Sequence, residues 1–217
     1  NLRPARALLT CPDMTQPSAL RPRPVPGGEP PTTVRTVANL VTIVRTVVAV
    51  PVALVALVQL SGLLLLIAYV VYWAGDILDG WTARRLGQET RLGAVLDVVS
   101  DRACSSVLVC GLVAVYPNLW PALAVFLVQF MVVDCVLSLA FLRWPDLLGP
   151  NYFHQVDRVV WRLNWSVPAK SINTAGVVLA VVVGNLPATL ALALAQLVIK
   201  VWSARRVLRL LNGSPPR

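Results

Sequence analysis

From residue 34 onward the chain alternates long apolar runs with short polar connections. Six runs recur, over residues 34–60, 63–84, 92–115, 119–142, 166–183 and 188–202. Most approach the ~20 residues that a helix needs to cross ~30 Å of hydrocarbon, so each predicts a transmembrane helix. The last two runs are short. Between them stands Gly184-Asn185-Leu186-Pro187, which stacks two breakers and a turn former and predicts a turn.

Residues 1–33 hold no such run. Arg21-Pro22-Arg23-Pro24-Val25-Pro26-Gly27-Gly28 lacks backbone donors at each proline and restraint at each glycine, so it predicts a disordered, Pro-rich cytoplasmic tail. With no apolar segment before a cleavage site, no signal peptide is expected. Met14 is a candidate start residue, which leaves residues 1–13 little weight. Residues 34–209 form the expected membrane domain, and residues 210–217 a short C-terminal tail.

Composition agrees. The chain is 57% hydrophobic and 13% charged, whereas a soluble domain is about half apolar and a quarter charged. Its net charge of +9 might have suggested nucleic acid, but the arginines sit in short clusters between apolar runs, a topology signal. The turns at Ser61-Gly62, Tyr116-Pro117-Asn118 and 184–187 carry no charge. The alternate connections carry Arg84, Arg85 and Arg91, then Arg143, Arg158, Arg162 and Lys170, and the C-terminal stretch adds Arg205, Arg206 and Arg209. Arginine in short loops stays cytoplasmic. Six helices with both termini inside put every cluster on that side; five would strand the last one outside. The fold class is therefore all-α and integral to the membrane. Cys11, Cys104, Cys110 and Cys135 match no zinc spacing and are expected to be free thiols.

Four of the ten acidic residues fall within 26 positions: Asp76, Asp79, Asp97 and Asp101. Their i, i+3 and i, i+4 spacings put each pair on one helix face. Each pair lies about nine residues, roughly 10–15 Å, from its cytoplasmic helix end. Four carboxylates at that depth are costly without cations. Pairing to Arg84, Arg91 and Arg102 would place three arginines two turns away against four acids. Hard divalent ions with oxygen ligands suit the acids better. Gly80, Ala83 and Gly93 leave room for a ligand to approach the backbone, and the Arg84 fork suits a diphosphate.

Asp76-x-x-Asp79-Gly80-x-x-Ala83-Arg84, eight residues, then Gly93-x-x-x-Asp97-x-x-x-Asp101 resembles the CDP-alcohol phosphotransferase signature at every fixed position. The resemblance covers residues 34 to about 209. It implies an all-helical membrane enzyme, usually a homodimer, with a site open to the cytoplasmic side of the cell membrane. It also implies displacement of CMP from a CDP-linked lipid, here CDP-diacylglycerol. By the same resemblance Asp76, Asp79, Asp97 and Asp101 would bind a pair of Mg²⁺ or Mn²⁺ ions, with Asp101 also the base for the acceptor hydroxyl. Gly80, Ala83, Arg84, Thr90 and Gly93 would contact the CDP-lipid. So would Asn39 and Thr42, which share one face of the first helix with Arg35 and Arg45.

Thr36-Val37-Ala38-Asn39-Leu40-Val41-Thr42-Ile43-Val44-Arg45, with Pro51 beyond, resembles the opening of phosphatidylglycerophosphate and cardiolipin synthases. Ala169-Lys170-Ser171-Ile172 is similar to that branch's Gly-Lys-x-Lys segment, with two departures. Asp97-Val98-Val99-Ser100-Asp101-Arg102 is closer to inositol-phosphate enzymes. Glycerol 3-phosphate is the acceptor expected here, with Lys170 first and Arg143 next among the residues to hold it; cardiolipin or inositol-phosphate synthesis is the alternative. Asp134 either lines the acceptor pocket or pairs with an arginine. His154, in a loop, is expected to be incidental, and Trp144, Trp161 and Trp165 suit an interfacial belt. A cation transporter is the reading from another class, since buried acids also mark ion paths. Its site would need polar residues on both sides of the midplane, and residues 47–57 and 107–115 are almost purely apolar.

Overall fold

The computed structural model describes residues 35–176, 178, 181 and 183–212. The expected N-terminal tail and residues 213–217 lie outside the described residues. Helix α1 spans Val37–Gln59, α2 Gly62–Arg85, α3 Arg91–Val115 and α4 Pro117–Arg143. A 3-10 helix at Pro150–Gln155 leads into α5, Arg158–Asn164, and α6, Val167–Ser171. Helix α7 covers Leu186–Leu211. Among the described residues there is no strand.

Five of these helices, α1 to α4 and α7, are long and apolar enough to cross a membrane. The further span expected over residues 166–183 falls partly outside the described residues. Its described part is α6 running on as π-helix through Ile172–Gly176.

Local chemistry sets the helix ends. Thr36, Ser61 and Thr90 each cap a helix by accepting a backbone N–H from the residue three ahead, satisfying one of the orphan donors there. Leu60 turns left-handed, φ 49°, to end α1. Asp157 caps α5 through Val159 and Val160 and also accepts from Arg206 Nε at 2.6 Å, which ties α7 to α5. Arg91 donates to the carbonyls of Leu142 and Pro145 at 2.8 and 3.4 Å, covering the free C-terminal end of α4.

Small residues bring α1, α2 and α3 together. Ala49, Ala53, Ala56 and Ala68 pack with Leu65, Tyr72, Cys104 and Leu108, and close backbone approach is what drives helix association in lipid. Gly111 receives Leu65, whose Cδ2 lies 2.3 Å from where a Cβ would stand. A second cluster of Leu119, Leu123, Phe126 and Phe130 joins α4 to Ala193 of α7. The third, around Phe141, Phe153, Val160 and Trp165, seats the 150–155 segment over the bundle. Trp144 and Trp165 meet Phe153 edge-on and tilted. Trp165 is thus buried in the core of this cap, correcting its assignment to an exposed aromatic belt. Cys104 is buried, Cys110 exposed and Cys135 between the two, and all three are free.

Candidate active site

The two aspartate pairs face each other across α2 and α3, and α1 supplies the residue between them. Arg45, at 3% exposure, reaches all four carboxylates. Its Nη1 lies 3.0 Å from Asp76, Nε 3.1 Å from Asp79, and Nη2 2.5 Å from Asp97 and 3.0 Å from Asp101. Arginine can do this because its planar fork presents five donors in fixed directions. The Tyr72 ring lies 5.5 Å from the guanidinium. Gly75 makes the position possible: a Cβ there would stand 2.5 Å from Arg45 Cβ.

Two of the three arginines weighed as alternative partners for these acids go elsewhere. Arg91 serves α4, and Arg102 donates to Asp134 at 2.6 Å. Arg45 was legible in the sequence only as one member of a polar stripe, because nothing in its spacing showed which helices would meet it.

The four acids differ in aspect. Asp79 has a 6% exposed side chain and accepts from Thr42 Oγ1 at 2.8 Å. Asp76, Asp97 and Asp101 are 36%, 40% and 22% exposed. Each of these three presents an oxygen within 4.8 Å of the others. One guanidinium against four carboxylates leaves a formal charge of −3 when all are ionised. Clustered hard oxygens with surplus negative charge fit a divalent cation, with Asp79 outside that group of three.

Two cavities meet at this cluster. The first is an open cleft of about 610 Å³, and Asn39, Thr42, Gly80, Ala83, Arg84, Thr90 and Gly93 all line it. Arg84 folds back over Gly80, Nη1 3.2 Å from a Cβ position there, and Gly93 leaves room for Asn39 Oδ1 at 2.7 Å. The second, about 1140 Å³, is lined by Asp76, Asp101, Arg102, Asp134, Lys170 and Lys200 among others. Asp97, Pro150 and Asn151 belong to both. Lys170 is exposed, while Arg143 is exposed at the end of α4 and lies outside the lining of either cavity. Asp134 both lines the second cavity and pairs with Arg102 and Lys200. His154 is exposed beside Trp161.

Sequence reasoning missed the wall formed by residues 148–152, together with Gln88 and Glu89. Tyr152 donates to Glu89 at 2.6 Å across 63 residues, a contact with no local signal. Burial and the Glu89 carboxylate push the Tyr152 phenol above its usual range, which keeps its proton in place as a donor.

The CDP-alcohol phosphatidyltransferase family model matches residues 35–204. The chain belongs to that family. The chain therefore carries the domain of an enzyme family generally dependent on divalent metal, with five helices among the described residues long and apolar enough to cross a membrane, which counts against the transporter reading. Among curated proteins it is similar to the CDP-diacylglycerol–inositol 3-phosphatidyltransferases of three yeasts. Identity is 54% over 43 residues with that of Schizosaccharomyces pombe, covering 20% of this chain and 18% of the relative. With that of Candida albicans it is 45% over 53 residues, 24% and 23% of the two chains. With that of Saccharomyces cerevisiae it is 50% over 43 residues, 20% of each. The matched stretch thus spans about a fifth of each relative's length. No solved structure matches the chain.

These relatives lie outside the phosphatidylglycerophosphate and cardiolipin branch that the α1 opening resembles, so the glycerol 3-phosphate expectation has no support among them. The geometry supplies a reason. Asn39 and Thr42 of that opening line the first cleft, whereas Asp101 and Arg102 line the second. Spelling in α1 therefore reports on one cavity, and spelling around Asp101 on the other.

Proposed function

We propose that this enzyme transfers the phosphatidyl group of CDP-diacylglycerol to a hydroxyl of an inositol-bearing acceptor and releases CMP. The observation carrying the reading is Asp97 as a wall common to two cavities, with Asp76 and Asp101 beside it in the second. The first cleft would take the CDP-lipid, its diphosphate against Arg84 and the small residues Gly80, Ala83 and Gly93. The second would take the acceptor.

Asp76, Asp79, Asp97 and Asp101 would hold one or two Mg²⁺ or Mn²⁺ ions, which supply charge neutralisation at the diphosphate and hold the leaving group in place. Asp101 lines the second cavity and not the first, which supports it as the group that takes the acceptor hydroxyl's proton. The acceptor oxygen then bonds to the phosphorus carrying the diacylglycerol, and the bond from that phosphorus to the bridging oxygen breaks, leaving with CMP. Arg45 keeps the carboxylates gathered on one side of the reacting atoms.

Purified protein given CDP-diacylglycerol, Mg²⁺ and, separately, inositol, inositol 1-phosphate or glycerol 3-phosphate tests the reading. Release of CMP with an inositol compound, lost on chelation, is expected. Release with glycerol 3-phosphate alone, or with none, would overturn it.

We further infer that both termini and the first cleft face the cytoplasm at the cell membrane, from the arginine clusters at one set of helix ends. Reporter fusions after Leu60, Asn118 and Asn185 should read as external, and one after Leu211 as internal. An external Leu211 would remove the sixth span.

A further inference from the structure

The second cavity holds a buried charged trio that the proposed transfer step does not use. Asp134, Arg102 and Lys200 are 5%, 8% and 4% exposed. Arg102 Nη2 donates to Asp134 Oδ2 at 2.6 Å, Lys200 Nζ donates to Oδ1, and Ser138 Oγ donates to Oδ2 at 3.4 Å. The trio is built by a π-helical stretch of α4, Gln129–Asp134. The wider π turn puts Phe130 and Asp134 on one side, and the Arg102 guanidinium lies 3.8 Å from the Phe130 ring centroid. Arg102 is thus held by a ring and a carboxylate together. Such π turns recur at functional sites.

Three cations line this cavity: Arg102, Lys200 and Lys170. Asp134 takes the two buried ones, and Lys170 is exposed, where water screens its charge. The neutral polar groups in the same lining point to a different kind of ligand. Asn164 is 4% exposed, and its Nδ2 donates to Val160 O at 2.7 Å and to Ser203 Oγ at 2.9 Å. Both of its amide protons are used, and its Oδ1 has no hydrogen-bond partner. The buried Asn173 Oδ1 has none either. Amide oxygens only accept. Their negative ends lie beside the cavity and disfavour a phosphate dianion, whereas a neutral hydroxyl is not repelled.

We propose that Asp134 sets acceptor specificity: by occupying Arg102 and Lys200 it makes the second cavity select an uncharged polyol over its phosphorylated form. The inference rests on the reading that this cavity receives the acceptor. A phosphorylated acceptor would have to draw both cations away from Asp134 and leave that carboxylate buried and unpaired. Such a mismatch is how a site rejects a close analogue. Asp134 acts through the cations it holds and is a positioning residue.

The test compares kcat and KM for inositol and inositol 1-phosphate in the full-length protein with CDP-diacylglycerol and Mg²⁺. Wild type should favour inositol in kcat/KM by about tenfold or more, the scale of one mispaired buried charge. Asp134→Asn should move that ratio toward the phosphorylated acceptor by about tenfold or more, chiefly by lowering its KM. Asp134→Asn with Lys200→Met frees one cation where Asp134→Asn frees two, so its ratio should lie between those of Asp134→Asn and wild type. If Asp134→Asn does not fold, the paired variant still reads the claim, since a ratio there equal to that of wild type would show that freeing Arg102 does not admit the phosphate. Wild-type preference for inositol 1-phosphate, or an unchanged ratio in Asp134→Asn, would also overturn the proposal. In both cases phosphatidyl transfer stands. Binding of CDP-diacylglycerol without CMP release to any acceptor would instead remove the transfer reading, and this inference with it.

Discussion

Asp101→Asn is expected to lower turnover by at least about a hundredfold, the usual cost of losing a positioned base, while metal and CDP-diacylglycerol still bind. Asp101 and Asp76 stand apart from the other two acids in their surroundings. Asp79 is buried against Thr42 and Arg45, and Asp97 is shared between the cavities. Asp76 and Asp101 line only the second cavity, and the family resemblance assigns the base role to the later residue. An asparagine oxygen can still coordinate a hard cation, though more weakly, but its amide cannot take the acceptor's proton. Mn²⁺ titration followed by spin resonance, alongside CMP release under saturating acceptor, separates these two losses. Near wild-type turnover at high metal concentration would make Asp101 a ligand alone, and Asp76 would then be the acid to examine.

Arg45→Ala should lower stability sharply without metal and much less with it. Removing one partner from a buried ionic cluster costs about 3–5 kcal/mol, because the remaining charges lose their compensation. Here four carboxylates would be left facing one another, with Arg45 replaced by a methyl group. A divalent cation at Asp76, Asp97 and Asp101 would supply positive charge at the same place. The midpoint of thermal unfolding in detergent should therefore fall in chelator, and added Mg²⁺ should raise it more in the variant than in wild type. Arg45→Lys should recover part of the loss, since one ammonium cannot repeat the fork's reach to four partners. An equal midpoint shift with and without Mg²⁺ would show that Arg45 contributes packing and not charge.

Much of the first cleft was readable along the chain. The residues expected around the CDP-lipid all come from α1, from α2 and α3, or from the short link between those two. Helical spacing and a tight connection leave them little choice but to converge. The seven line one cleft. The second cavity was less legible, because its residues come from α2, α3, α4, α5, α6 and α7. Lys200 meets Asp134 across 66 positions, and Asn164 meets Ser203 across 39. No periodicity links such residues, so Lys200 and Asn164 passed unnoticed, and Asp134 could be given two roles but not assigned both.

Read along the chain alone, the residues already make it helical and membrane-spanning, with four carboxylates and a small-residue motif on neighbouring helix faces. Those features are local, and hydropathy and the helical repeat are enough to set them. Which cation meets the acids depends instead on how the helices pack. Arginines close to them in sequence, Arg91 and Arg102, turn to α4 carbonyls and to Asp134, while Arg45 arrives from α1 over Gly75. The physical reason is steric and electrostatic together. Arg45 can reach four carboxylates only where a missing Cβ lets two helices close, and that depends on how three separate helices pack.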